Sequence, residues 1–162
     1  MYVGRGDAWL NKKAHGKAIS DYNEALRIYP SSALVYLRRG IAWHSEKEYE
    51  KAHSDYREAQ RLEPKNEYVY NGQAWLWATC PDPKYRDGKR AVESAKMALE
   101  LNKNEAIFLD TLGAAYAEVG LFEEAIRCQQ RALKDLDFQR EYGDKARQRL
   151  ELYRNKMPYR EG

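Results

Sequence analysis

Small and aromatic residues recur along the first part of this chain at intervals of 34 residues. At about 3.6 residues per turn, the recurring positions within each half of an interval lie on one side of a helix. Each interval therefore predicts two helices, an A helix followed by a B helix, with a proline that ends the second one. The recurring residues are Tyr36, Gly40, Trp43, Ala52, Tyr56, Ala59 and Pro64, and in the preceding interval Tyr2, Gly6, Trp9, Ala18, Tyr22, Ala25 and Pro30.

The residue types at these positions indicate how each helical hairpin closes. Gly40 and Ala52 carry too little side chain to hold the two helices apart, so the backbones approach closely. Trp43 and Tyr56 then fill the space around that contact. The recurring aromatic residues are therefore predicted to pack the hairpins rather than to bind a partner.

The repeat continues into the second half of the chain with one interruption. Trp77 keeps the spacing, but the small residue expected at position 86 stands five residues later, at Ala91. The extra residues fall within 79–88, where two prolines on either side of Asp82 exclude a helix interior. We expect a surface loop there, which either seals the end of the hairpin or contacts a partner. The fourth hairpin is marked by Gly113, Tyr116 and Ala125.

The repeat pattern stops at Phe138. A one-sided apolar stripe surrounded by Arg, Lys and Glu predicts a helix that covers the last hairpin. Because a glycine in a helix costs about 1 kcal/mol relative to alanine, Gly143 makes a start at Asp144 the alternative to a start at Phe138. Pro158 ends the structure in this prediction, and the final residues are expected to be loose. The stripe consists of Tyr142, Ala146, Leu150 and Tyr153.

The spacing, the residue types and the closing prolines resemble the tetratricopeptide repeat family. The resemblance implies an all-α fold, a right-handed superhelical solenoid of four helix-turn-helix repeats plus a C-terminal capping helix, in a single domain over residues 1–162. The repeats are expected at about 1–32, 33–66, 67–105 with the five-residue insertion, and 106–137, and the capping helix at about 138–157. The structural signature residues are Gly6, Trp9, Ala18, Tyr22, Pro30, Gly40, Trp43, Ala52, Tyr56, Pro64, Trp77, Ala91, Gly113, Tyr116 and Ala125.

A narrower resemblance covers residues 70–161, through the segment 79–88, the run 109–118 and the terminal run 158–161. These stretches are similar to a tetratricopeptide subtype of multidomain bacterial proteins, in which such modules accompany kinase, peptidase or other signalling domains. The first helix has no capping residue before Tyr2, whereas repeat arrays normally carry a polar cap at each end. We therefore expect either a segment of a longer array or an array that covers this end by self-association.

In that family the A helices line a concave groove, and the function is expected there. The largely apolar residues of this groove indicate that it binds a partner's extended peptide or amphipathic helix, with Trp75 as the central anchor. Two alternatives stay open: these side chains pack on neighbouring repeats, or the groove and the uncapped first helix join copies of the chain into a homo-oligomer. The expected groove residues are Leu34, Leu37, Arg38, Ile41, His44, Tyr68, Asn71, Trp75, Ile107 and Asp110.

Charge and hydropathy argue against other partners. The 28 Lys and Arg and 25 Asp and Glu are interleaved and leave a net charge of +3, so we expect no nucleic-acid binding. The sequence has no apolar run of about 18 residues, so we expect no membrane span. Cys80 and Cys128 have neither metal-binding nor redox spacing, which favours a reduced, cytoplasmic chain over a disulfide-bonded one.

Catalytic chemistry is not indicated by any motif. His15, His44 and His53 are scattered, and the sequence has no HExxH zinc motif, no phosphate-binding glycine-rich loop and no GxSxG nucleophile motif. We therefore expect a non-catalytic chain without catalytic residues, metal or cofactor, which binds a protein or peptide.

Overall fold

The structure, a computed structural model, describes residues 1–103 and 105–162. Within these residues it contains nine α-helices, one 3-10 helix (Pro83–Tyr85) and no strand. The helices are α1 (Tyr2–Asn11), α2 (His15–Ile28), α3 (Ala33–Ser45), α4 (Tyr49–Leu62), α5 (Glu67–Thr79), α6 (Gly88–Leu101), α7 (Ala106–Glu118), α8 (Phe122–Ala132) and α9 (Leu136–Arg154). The predicted all-α class is confirmed, and within α1 to α4 and within α6 to α9 each helix pairs with the next one along the chain, as in a helical solenoid. No helix of this described part is long and apolar enough to cross a membrane.

The chain divides into two compact units, unit 1 (Met1–Gly72) and unit 2 (Gln73–Gly162), with the boundary inside α5. In unit 1, α1 pairs with α2 and α3 pairs with α4, while α2 also packs against α3. In unit 2, α7 packs against both α6 and α8, and α9 packs against α7 and α8. The organisation of residues 1–162 as a single domain stays a prediction.

Two glycines of unit 1 face tyrosine rings at short range. A Cβ added at Gly6 would lie 2.7 Å from the ring of Tyr22, and one added at Gly40 would lie 2.8 Å from the ring of Tyr56. Both distances are shorter than any favourable contact between carbon atoms. Both rings are buried, and the ring of Tyr56, rather than Ala52, fills the space that Gly40 leaves.

An ion pair joins the A helix to the B helix in each hairpin of unit 1. Arg5 donates to both carboxylate oxygens of Asp21 at 2.8 and 2.6 Å, and Arg39 donates to both oxygens of Asp55 at 2.7 Å. The hydrogen bonds from Arg5 hold the pKa of the Asp21 carboxyl below its ordinary value. The second pair follows the first by 34 residues, a recurrence visible in the sequence that the sequence-based prediction missed.

Cations from the B helices cover the tryptophans of the A helices, an arrangement stabilised by cation–π attraction. The cation-to-centroid distances are 4.5 Å for Lys17 and Trp9, 4.5 Å for Lys51 and Trp43, and 5.9 Å for Arg90 and Trp77. The third cation follows the second by 39 residues, which is the repeat length plus the insertion. The repeat register therefore continues after the inserted residues.

The inserted loop is held by its own residues and by the end of α7. Asp87 caps α6 by accepting a backbone N–H of its first turn at 3.1 Å. Arg86 donates to the backbone carbonyls of Cys80 and Pro81 at 2.9 and 2.8 Å, and its Nε lies 3.3 Å from Glu118 Oε1. These contacts support the first alternative for the insertion, in which it seals the end of the hairpin.

The helix that follows the repeats begins earlier than expected. Asp135 caps it, because its carboxylate accepts a backbone N–H of the first turn at 2.8 Å. The alternative start at Asp144 is therefore wrong, and the helix spans Leu136–Arg154, two to three residues before the expected range of about 138–157 at each end. Gly143 lies buried within the helix. A side-chain N-cap contributes about 1 kcal/mol, which is enough to offset the cost of that glycine.

Candidate functional site on the A helices

Within each unit, we call the surface of the first helices of the hairpins the A-helix face. In unit 1 it consists of α1, α3 and residues 67–72 of α5, and spacings of three and four residues align its side chains along each helix. Leu34 and Tyr68 are its most exposed large apolar residues, at 46% and 49%. They are 34 residues apart and therefore occupy equivalent positions in successive repeats. The remaining predicted groove residues of unit 1 are Leu37, Arg38, Ile41, His44 and Asn71.

Three predicted groove residues are buried, so they do not line an open surface. Leu37 exposes 5% of its surface, His44 9% and Asp110 4%. The His44 ring packs edge-on against Tyr49 of α4, with 5.7 Å between the centroids. Ile107 is half-buried and packs on a cluster shared with α8 and α9. Projection onto one helix does not show which side chains a neighbouring helix covers, which is why the sequence-based prediction placed these residues on the surface.

Polar groups border the exposed apolar residues of unit 1. The Arg38 side chain is 44% exposed, and its Nε lies 3.8 Å from Asp7 Oδ1. Asp7 also accepts the Tyr22 hydroxyl at 2.7 Å, and burial together with this hydrogen bond raises the pKa of Tyr22. The side-chain oxygen of Asn71 is buried and accepts no hydrogen bond from the residues that the structure describes. The exposed part of the face therefore combines apolar side chains with an arginine.

In unit 2 the chain covers its own A-helix face with residues 158–161, which we call the terminal segment. The ring centroid of Tyr159 lies 5.9 Å from that of Trp75, and the Trp75 indole N–H donates to Glu161 Oε1 at 3.2 Å. The expectation of loose final residues is therefore wrong. Trp75, predicted as the anchor for a partner, is half-buried and already contacts a segment of its own chain.

Two residues of the terminal segment bind the C-terminal ends of helices. The Glu161 backbone N–H donates to the Thr79 carbonyl at 3.0 Å, and Arg160 Nη1 donates to the Ala78 carbonyl at 3.4 Å. Arg160 Nη2 also pairs with Glu118 Oε2 at 2.6 Å. These positions favour a cation, because the free carbonyl groups at a helix C-terminus carry partial negative charge.

A buried ion pair connects the terminal segment to the helices of unit 2. Arg149 of α9 is 4% exposed and donates to both oxygens of Asp110 on α7, at 3.0 and 2.8 Å. Gln129 of α8 donates to the same carboxylate at 2.7 Å. The guanidinium carbon of Arg149 also lies 5.4 Å from the ring centroids of both Trp75 and Tyr159. The sequence-based prediction missed Arg149, because an arginine on an amphipathic helix is usually exposed.

The environments of the two thiols do not favour a nucleophilic or redox reaction. Cys80 and Cys128 are buried and form no disulfide. Burial raises the pKa of both thiols, so little of the reactive thiolate is present at neutral pH.

Comparison with known proteins identifies the repeat. The family described as tetratricopeptide repeat matches residues 33–66, and no curated protein matches the chain. TTC0263, a thermophilic TPR protein of Thermus thermophilus, has a TM-score of 0.70 at 20% identity over 86% of this chain and 76% of its own. PilW, a type IV pilus biogenesis factor, gives 0.73 at 16% identity over 96% and 74%. YrrB, a TPR protein with an unusual peptide-binding site, gives 0.65 at 18% identity over 96% and 82%.

The matched repeat and the fold define a class of proteins built of stacked tetratricopeptide hairpins, a fold that serves as a protein-interaction module. Residues 33–66 of this chain match the tetratricopeptide repeat family, and over most of its length the chain has the fold of tetratricopeptide-repeat proteins. The family resemblance seen in the sequence is thereby confirmed. The narrower resemblance to a subtype of multidomain bacterial proteins stays a prediction.

Proposed function

We propose that this chain is a non-catalytic module that binds an extended segment of a partner protein on the A-helix face of unit 1. The observation that carries the proposal is the exposure of Leu34 and Tyr68, 46% and 49%, at equivalent positions of successive repeats. Exposed apolar side chains that recur along one face are typical of surfaces that bind another protein. Aromatic residues such as Tyr68 often contribute much of the binding free energy at such surfaces.

An arginine of this face suits a polar group of an extended segment. Asn71 lies about one helical turn after Tyr68, but its side-chain oxygen is buried and therefore out of a partner's reach. The Arg38 side chain is 44% exposed, and its Nε lies 3.8 Å from Asp7, beyond hydrogen-bond distance, so it can bind a carbonyl or carboxylate of the partner. A segment with apolar side chains and an acidic group therefore fits this face.

One of the structural neighbours supports this mode of binding. YrrB is described as a TPR protein with an unusual peptide-binding site. Because fold likeness at 18% identity does not carry function, only the capacity of the fold to bind a peptide enters the proposal.

The proposal is tested by selecting peptides and then substituting the face. A library of random linear peptides is selected against the full chain, and calorimetry measures the affinity of the best binder for wild type, Tyr68→Ala and Leu34→Ala. Each substitution is expected to weaken binding by about 10-fold or more, equivalent to about 1.4 kcal/mol. Tyr29→Ala is the matched control, because Tyr29 is 67% exposed and lies at the end of α2, outside the face.

Equal affinities for wild type and both face variants would contradict the proposal. Light scattering separates it from the homo-oligomer alternative. A dimer that Tyr68→Ala converts into a monomer would show that the face joins copies of the chain, and the proposal would then fail. A monomer at high concentration supports the proposal.

A further inference from the structure

The terminal segment is held in unit 2 as a bound peptide would be held. It forms no helix or strand, and it is fixed through a ring, an ion pair, a carboxylate and a backbone N–H. A separate chain could supply each of these groups. We propose that unit 2 has a peptide site of its own, distinct from the face of unit 1, which accepts an extended aromatic–Arg–Glu sequence of a partner protein and which the terminal segment otherwise fills.

An apolar environment determines the aromatic position. Tyr159 packs against Trp75 and against a cluster that includes Ala117 and Tyr153. Burial in this environment raises the pKa of Tyr159, so the hydroxyl stays uncharged. An aliphatic side chain would lose both the ring contact with Trp75 and the contact with the Arg149 guanidinium at 5.4 Å. The site therefore selects an aromatic residue.

An acidic side chain, Glu118, and an N–H donor, the indole of Trp75, determine which charged residues the site binds. Glu118 has a side chain only 13% exposed, and Arg86 lies 3.3 Å from one of its oxygens. The other oxygen lies 2.6 Å from Arg160 and therefore favours a cation of the bound sequence. The indole N–H of Trp75 donates at 3.2 Å and therefore requires an acceptor such as the Glu161 carboxylate. Exchanging the arginine and the glutamate of the sequence would bring a carboxylate to Glu118, where like charges repel. The arrangement thus specifies the order aromatic, Arg, Glu.

The tether makes the terminal segment a strong competitor for this site. Only residues 155–157 separate it from the end of α9. A segment tethered so closely is present at an effective concentration on the order of millimolar. The affinity measured for a separate peptide is reduced by the fraction of chains in which the site is open. Substitutions that release the segment are therefore expected to increase the affinity for a peptide added in solution.

The test uses the full chain and a fluorescein-labelled peptide, NKMPYREG, with the sequence of residues 155–162. Anisotropy gives its affinity for wild type and for Tyr159→Ala/Arg160→Ala, which removes the ring and the ion pair of the segment. We expect binding to the double variant to be tighter by about 10-fold or more. Tyr29→Ala, the exposed control, is expected to bind like wild type. The reordered peptide NKMPYERG, in which a carboxylate faces Glu118, is expected to bind the double variant about 10-fold more weakly than NKMPYREG.

Equal binding of the first peptide to wild type and the double variant, or equal binding of the two peptides to the double variant, would overturn the proposal. If circular dichroism shows the double variant to be unfolded, Arg160→Ala retains Tyr159 and permits the same comparison, and absence of any gain then overturns it. A wild-type dimer that Tyr159→Ala dissociates would identify a second copy as the occupant and overturn the assignment to a partner protein. Tyr68→Ala is expected to leave this binding unchanged, so the two proposals fail separately.

Discussion

Gly40 and Gly4 differ in how much free space lies beside the Cα atom, where another residue would carry its side chain. A Cβ added at Gly40 meets the ring of Tyr56 at 2.8 Å, whereas one added at Gly4 has no neighbour within 4 Å. The backbone of α3 can approach α4 so closely only because this side chain is missing. At the scale of the residue, the fold therefore depends on which glycines face a ring.

Gly40→Ala is expected to destabilise the chain by about 1–3 kcal/mol, because a buried ring must move to admit the methyl group. Gly4→Ala is the control and adds its methyl group to open space on an exposed part of α1. It is expected to be neutral or to stabilise by up to about 1 kcal/mol. Urea unfolding followed by circular dichroism measures both variants, and equal effects of the two would contradict the account of the hairpin contact.

Asp21 is expected to make the stability of the chain depend on pH. The hydrogen bonds from Arg5 lower the pKa of folded Asp21 from its ordinary value of 3.8, so near that pH the folded state binds fewer protons than the unfolded state. Its stabilising contribution is complete above the unfolded pKa and is lost as the pH falls through the folded pKa. Wild type should therefore lose stability from about pH 5 downwards, and Asp21→Asn should lose less. Urea unfolding over this range gives both slopes, and identical slopes would show that Asp21 is not responsible.

At the scale of the elements, a buried ion pair as well as apolar contacts holds α9 to its neighbours α7 and α8. The apolar stripe in the sequence was enough to predict that a helix follows the repeats. It was not enough to predict the start at Leu136, which depends on the cap at Asp135. Nor did it predict the ion pair of Arg149 with Asp110, since Arg149 lies after the last repeat and has no equivalent position in the repeats before it.

Arg149→Ala is expected to destabilise the chain by about 3–5 kcal/mol, because the substitution leaves the Asp110 carboxylate buried without its cation. Arg147→Ala is the matched control on the same helix. Its side chain is 55% exposed and pairs with Asp144, so its loss is expected to cost less than about 1 kcal/mol. Thermal and urea unfolding compare the two. A loss for Arg149→Ala no greater than that of the control would show that the buried pair does not hold α9.

At the scale of the whole molecule, the sequence was enough to predict the hairpins. It was not enough to predict that the terminal segment covers the A-helix face of unit 2. The hairpins follow from contacts inside each repeat, and a spacing of 34 residues reports these directly. The same spacing relates Arg5 to Arg39 and Asp21 to Asp55, so the two ion pairs could also have been predicted from the sequence. The contact of Trp75 with Glu161 joins residues 86 positions apart and does not recur in the repeats. A repeating sequence pattern therefore could not predict it. Consequently the sequence indicated one open groove, whereas the face of unit 1 is exposed and that of unit 2 is occupied.

The most direct test of this account is to titrate the full chain with a library-selected peptide and follow its backbone amide signals by NMR. The account predicts the largest shifts around Leu34, Arg38 and Ile41 of α3 and around Tyr68 and Asn71 of α5. Largest shifts on the B helices α2 and α4, with α3 and residues 67–72 unchanged, would contradict it.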